Sequence, residues 1–406
     1  MKFLQEIEEI LTREDISAPE QRMQVFARLA AEPDRGTSAA LECLLRTDSR
    51  RIAAYLTQYF EFIPGAVEEK TRAADRLRRE PRLLSAVSRL VPWLPEAMID
   101  ELVSDYLAHG DSVPALSDVV FVVGKYFPER LRPFAERIDD EYVRRALLSG
   151  APDGKAESFL EDWRRSGDLR ALIALAYIRT ERARELIRSV RGEVEDSAQW
   201  ETLIELAGQL PDTGKPAGSW PAFRGFVSGR GEGPHVVGGP PGGEVPVCHV
   251  CEAPAARLLK LSARSLPYGF VNDPVFYWYS CDCGIMDSIT VRVGTGGMHV
   301  FYGPKGSGDP SASITPGELS LVLERHPNQT GISLREMPGN AGHQVGGLPA
   351  WRDPDIHPRC PDCGNSMPYA ATMDCGRTPF GDMKYDGIIY CFWCDGCRVS
   401  STQIQH

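Results

Sequence analysis

The chain has 406 residues, 42% of them hydrophobic, and a formal net charge of −11. That is enough length and apolar content for about two or three domains with their own cores, while the negative balance argues against a chain built to coat nucleic acid or anionic lipid. No apolar run approaches the roughly 20 residues that span a bilayer, and Lys2 followed by Glu6, Glu8 and Glu9 is not the basic-then-apolar order of a secretory signal; no membrane association and a cytoplasmic location are the expectations.

From residue 1 to 210, apolar residues recur at helical spacing between short breaks: Leu83, Val87 and Leu90; Met98, Leu102 and Tyr106; Leu169, Ile173 and Ala176; Ala183, Ile187 and Val190. Pro19, Pro81, Pro95 and Pro128 stand where a helix tolerates proline best, at its first turn. Roughly twelve to fourteen such segments with short connections imply stacked antiparallel helical hairpins, a HEAT-like helical-repeat solenoid. An irregular helical bundle is the alternative, since no clean repeat period shows. Cys43, alone in this half, reads as a small buried hydrophobe. The arginine-rich stretches 72–82 and 179–191 are interleaved with acids and read as solvated helix faces.

Residues 211–247 hold ten glycines and seven prolines, a density that breaks helix and ladder alike and marks a linker between domains. Trp220, Phe223, Phe226 and Val227 are more than a flexible linker requires, so that piece is expected to pack on a domain.

From 248 to 406 the pattern turns to short β-rich runs at 258–261, 275–280, 288–293, 298–302, 332–334 and 388–393. One helix is expected among them, with Thr315, Pro316 and Glu318 as a capping-box start before Leu319, Leu321, Val322 and Leu323. The glycine-rich segments 294–297 and 303–308 lack Walker spacing and read as hairpin turns. Ser265 and Ser288 have no nucleophile-elbow context. The aromatic run Phe276, Tyr277, Trp278 and Tyr279 could stack bases, although alternation on a strand sends at least half of it inward.

Ten of the eleven cysteines lie after residue 247. Cys248 and Cys251 are followed, 29 residues on, by Cys281 and Cys283; Cys360 and Cys363 are followed, 30 residues on, by Cys394 and Cys397. A CxxC turn puts two sulfurs on one side of a tight knuckle, and two knuckles together form the tetrahedral thiolate set that zinc prefers. Each second pair follows an aromatic strand, which suggests an internal duplication of zinc-ribbon-like units and two structural zinc ions. Cys375, Cys391, His249, His343 and His357 remain alternative ligands, with Cys391 expected to alternate into the core. A closed four-thiolate site leaves no position for a reactive water, and no HExxH or HxE with a following PCxxC occurs, so no catalytic residue is assigned and a non-enzymatic protein is expected.

The segment from His343 to Trp351, His-Gln-Val-Gly-Gly-Leu-Pro-Ala-Trp, followed by Cys360-Pro-Asp-Cys363-Gly364, resembles the bacterial YwqG-like domain family of uncharacterised function and, more distantly, the C-terminal domain of programmed cell death protein 2. The resemblance covers at most residues 248–405. It implies a protein-binding module with Gly346, Gly347 and Trp351 as motif residues and, by the eukaryotic family, a chaperone-like role. The expected function is therefore a zinc-stapled protein–protein interaction module, toxin-neutralising or chaperone-like; the alternative is a nucleic-acid-associated zinc-ribbon protein.

Overall fold

The computed structural model describes residues 2–228, 233–239, 245–248, 250–281, 288–294, 299–302, 318–331, 342–352, 357–374 and 387–405. The chain divides into two compact units: the first runs to Arg137 and is joined by Phe226 to Ser228, and the second takes Ile138–Gly225 and the rest of the described chain.

The first unit is helical: α1 (Lys2–Thr12), α2 (Ala18–Ala31), α3 (Pro33–Arg46), α4 (Arg50–Phe62), α5 (Val67–Arg78), α6 (Glu96–His109), α7 (Pro114–Tyr126) and α8 (Pro128–Leu131). Local chemistry sets the helix starts. Ser17 accepts the Glu20 amide ahead of α2, with proline in the first turn, and Ser49 accepts the Ile52 amide ahead of α4. The stripe around Val87 and Leu90 is a 3₁₀ helix, Leu84–Trp93, rather than an α-helix. At three residues per turn, Leu84, Val87, Leu90 and Trp93 align on one side and are all buried. This segment packs against α4, α5 and α7. Beside it lies the fully buried Lys70, whose Nζ donates to the Ile63 carbonyl at 2.7 Å, at the end of α4, and sits 3.5 Å from the Trp93 ring centroid.

In the second unit, α9 (Glu141–Ala146), α10 (Asp153–Ser166), α11 (Leu169–Ile178), α12 (Glu181–Ser189) and α13 (Ser197–Leu206) surround a core that includes Leu160, Leu172, Leu175, Ile187 and Leu203. Asp140, Asp168, Thr180 and Asp196 cap α9, α11, α12 and α13. Arg179 and Arg184 are buried, not solvated as expected. Their Nε atoms donate to the Leu206 and Ala207 carbonyls, where cations meet the negative end of α13.

The expected boundary at 210/211 falls at 137/138 instead. Helices α9–α13 belong with the sheet because polar and apolar contacts tie them there: Ser149 Oγ lies 3.0 Å from Thr330 Oγ1, and Leu210 clusters with Ala217 and Leu348. Part of the glycine- and proline-rich stretch is ordered sheet, with β1 at Phe223–Ser228 and β2 at Val236–Val237; Phe226 and Val227 are buried, as their apolar character implies.

The remaining strands are β3 (Ala256–Lys260), β4 (Val275–Trp278), β5 (Ile289–Arg292), β6 (His299–Tyr302), β7 (Leu319–Arg325), β8 (His343–Val345), β9 (Tyr369–Asp374), β10 (Ile388–Cys394) and β11 (Val399–Gln405). Among the described residues they form one sheet in the order β4-β3-β2-β7-β1-β8-β9-β10-β11-β5-β6, with antiparallel registers such as Tyr390↔Gln403 and Ile389↔Met373. One broad sheet thus replaces the expected pair of separate small ribbons.

The helix expected from 315 is overturned in its described part: Leu319–Arg325 is β7. Leu319, Leu321 and Leu323 fit a period of two as well as a helical one. Val236 and Val237 supply the ladder partners for Ser320 and Leu319, and tertiary pairing decides between them. The run at 332–334 lies outside the described residues.

Candidate metal centres

Both cysteine sets come together in space, with Cys394 at the end of β10 and the other described members outside the strands. Cys360, Cys363, Cys394 and Cys397 place their four sulfurs within 4.8 Å of one another, and Cys248, Cys251 and Cys281 do the same. Each group can hold a metal ion. Cys283, the expected fourth member of the first group, lies outside the described residues, as do His249 and Cys375.

In the first half of each set the backbone builds the knuckle. The Cys360 amide donates to the Asn365 carbonyl at 2.9 Å and the Gly364 amide to the Cys360 carbonyl at 2.8 Å; the Cys248 amide donates to the Ala253 carbonyl at 2.8 Å and the Glu252 amide to the Cys248 carbonyl at 2.9 Å. The turn closes through a left-handed residue four positions after the first cysteine, Gly364 at φ 73° and Glu252 at φ 59°. The Val250 amide donates to the Cys248 sulfur at 3.4 Å. β10 delivers Cys394, and the turn after it ends on left-handed Arg398, φ 55°.

The four-sulfur group is chemically suited to a soft cation. The Asn365 amide, donating to Cys363, lowers that thiol below its ordinary range, whereas burial pushes Cys397 up to about 11 and Cys394 higher still. A metal bound there would have to displace the protons of these thiols to make thiolates. All the described cysteines are free of disulfides.

Carboxylates within the two knuckles reach outward. Asp362 takes Arg292 Nε at 2.6 Å and Arg292 Nη2 in a bidentate pair, which holds that guanidinium above its ordinary range. Asp395 accepts the Val271 amide at 2.9 Å, the Asn272 amide at 3.2 Å and Trp393 Nε1 at 3.0 Å. The sequence reading missed both; the signal was an aspartate inside each CxxC of the second set.

Beneath the group lies an aromatic core. Trp351 stacks on Tyr390 at 4.8 Å and on Phe392 at 5.8 Å, and meets His357 edge-on at 5.6 Å. His357 Nδ1 lies 2.9 Å from the Met367 carbonyl and donates to it, and burial holds the ring below its ordinary pKa. His343 Nδ1 accepts the Asp374 amide at 3.0 Å. Neither histidine is among the clustered ligands, and Cys391 is buried in the core as expected, in a strand whose residues from Ile388 to Trp393 are buried on both faces.

Gly346, Gly347 and Trp351 are all buried, so the motif expected to bind a partner faces inward. Its role in the fold is a turn. Gly346 and Gly347 have φ of 68° and 72°, their amides donate to the Ala370 and Ser219 carbonyls, and Gln344 Nε2 donates to the Gly346 and Leu348 carbonyls. The aromatic run 276–279 is likewise buried throughout, which removes it as a base-stacking surface.

No helix among the described residues is long and apolar enough to cross a membrane. No protein-family model, curated protein or solved structure matches the chain.

Proposed function

We propose that the protein is a non-enzymatic interaction protein whose sheet unit is stapled by two structural zinc ions. The observation that carries this is the convergence of Cys360, Cys363, Cys394 and Cys397 within 4.8 Å. Four thiolates complete a tetrahedron and leave no coordination position for substrate or activated water. A thiol-only donor set also favours zinc over hard, oxygen-seeking cations. Cys283 is the proposed fourth ligand of the Cys248 group.

The partner is proposed to be a protein. A HEAT-type reading of the helices would supply a binding surface, the resemblance around Gly346 to Gly364 implies a chaperone-like binding module, and the acidic balance of the chain would suit neutralising a toxin. The nucleic-acid alternative has lost its aromatic carrier and retains only the general habit of zinc ribbons. Metal analysis of the purified chain is expected to give two zinc per chain; none, or metal displaced by mild washing, would sink the staple. Affinity capture from native lysate is expected to recover a stoichiometric protein. Salt-sensitive binding of single- or double-stranded nucleic acid, without a protein partner, would favour the alternative.

A further inference from the structure

The cysteine knuckles have a cysteine-free counterpart at Gly208–Ala217. In this segment the Leu210 amide donates to the Lys215 carbonyl, the Gly214 amide to the Leu210 carbonyl and the Ala217 amide to the Gly208 carbonyl, at 2.8, 2.8 and 2.9 Å. The same three offsets occur at Cys248 and at Cys360, where the third bonds run from Ala255 to Pro246 and from Met367 to Pro358. The bridges Gln209↔Pro216, Val247↔Pro254 and Arg359↔Ser366 also coincide, and Gly214 is left-handed at φ 63° like Glu252 and Gly364. Leu210-Pro-Asp-Thr213-Gly214 aligns with Cys360-Pro-Asp-Cys363-Gly364, placing Leu210 and Thr213 at the ligand positions. The first such position is equally buried in all three, at 1% for Leu210, 2% for Cys248 and 1% for Cys360.

Leu210 packs with Ala217, Leu348 and Trp220, so apolar contact takes the place of a metal bond. Asp212 Oδ2 then accepts the Ser366 amide at 2.8 Å and Arg359 Nη1 at 3.3 Å, which are the two residues bridging the Cys360 knuckle. At the equivalent position the Cys248 knuckle has Val250, 49% exposed and without a carboxylate.

We propose that Gly208–Ala217 is a third knuckle that folds without metal and supports the Cys360 site, with Asp212 as a positioning residue that slows metal loss from that site. This rests on the zinc reading above. Zinc-loaded full-length chain mixed with an excess of a chromophoric chelator is expected to release metal in two phases, the slower one surviving in a Cys248→Ser/Cys251→Ser variant. Asp212→Ala is expected to speed the slow phase about tenfold, in line with outer-shell effects on metal sites. Asp212→Asn, which keeps an acceptor oxygen for Ser366, should lie nearer the wild type. A slow phase unchanged in Asp212→Ala, or both phases accelerated alike, would overturn the positioning role. In the chelated chain the Leu210, Gly214 and Ala217 amides are expected to stay protected from exchange while those of Cys360 and Gly364 lose protection. Equal loss at all three knuckles would overturn the metal-free support, whereas a chain that takes up no zinc overturns the metal reading itself.

Discussion

The sulfurs of Cys363 and Cys394 stand 3.9 Å apart across two knuckles that are distant in sequence. A disulfide needs about 2.05 Å, whereas sulfurs bound at about 2.3 Å to one tetrahedral zinc stand about 3.8 Å apart. Replacing Cys394 with serine is therefore expected to remove one of two metal equivalents. It should also forfeit most of that site's metal-linked stabilisation, on the order of 10 kcal/mol in apparent terms. Elemental analysis beside thermal melting checks this, and retention of both equivalents would count against the cluster.

Thiol chemistry should distinguish ligand from core cysteines. Cys363 is exposed and its thiol is lowered by the Asn365 amide, whereas burial pushes Cys43 up to about 11 and Cys391 still further. With metal bound, alkylation is expected to be slow at Cys363. After chelation Cys363 should react first, and Cys43 and Cys391 only on unfolding. Peptide mapping by mass spectrometry reads the order, and early labelling of Cys391 would contradict its placement in β10.

Gly346 bears a packing constraint that its place in a familiar-looking motif did not disclose. A Cβ there would lie 2.0 Å from the Tyr268 hydroxyl and 2.7 Å from the Ser219 carbonyl, on a backbone already at φ 68°. Tyr268 cannot retreat without giving up its bonds to the Pro221 and Val345 carbonyls, at 2.8 and 3.0 Å. Gly346→Ala is expected to destabilise the chain by about 3 kcal/mol or more. Adding Tyr268→Phe should recover only part, since the left-handed backbone and Ser219 remain. Urea unfolding of the single and double variants measures both.

Ligand spacing was legible in the sequence because a CxxC turn is a local object: both knuckles close through bonds between residues at most nine positions apart around Cys248 and Cys360. The short β-rich runs that became β3, β4, β5 and β10 were legible for the same reason. What could not be read was pairing. Leu319 to Leu323 carries a pattern common to helix and strand, and pairing with Val236 and Val237, over eighty residues earlier, settles it as β7. The domain boundary failed similarly. Glycine and proline density at 211–247 resembles a linker, yet Leu210, Leu348 and Ala217 close a small core across it. Gly346 and Trp351 stood out by residue type, but type alone does not say whether a residue faces a partner or its own core.

Lys70 tests whether a buried cation is structural. Its ammonium is held by the Ile63 carbonyl and the Trp93 ring in the core of the first unit. Lys70→Ala removes both and leaves a void, and is expected to cost about 3 kcal/mol. Lys70→Met fills most of the space without the charge, so it should cost less. If the two variants unfold at the same denaturant concentration as the wild type, the cation does not brace this core.

Acid sensitivity should have a component at His235. The ring is buried and its Nδ1 accepts the Ser262 amide at 3.1 Å, an arrangement open only to the neutral tautomer protonated on Nε2. Burial pushes the imidazole below its ordinary value, and Asp273 pulls it only partway back. The unfolded chain, with a histidine pKa of about 6.5, accepts a proton that the folded ring resists. The stabilisation is thus complete above about pH 6.5 and declines as pH falls toward the folded value. His235→Asn keeps an acceptor for Ser262 but cannot titrate. Between about pH 7.5 and 5.5 the variant is expected to lose less stability than the wild type in urea unfolding, with His343 and His357, also depressed by burial, accounting for acid loss that remains. Equal losses in variant and wild type would remove His235 from the account.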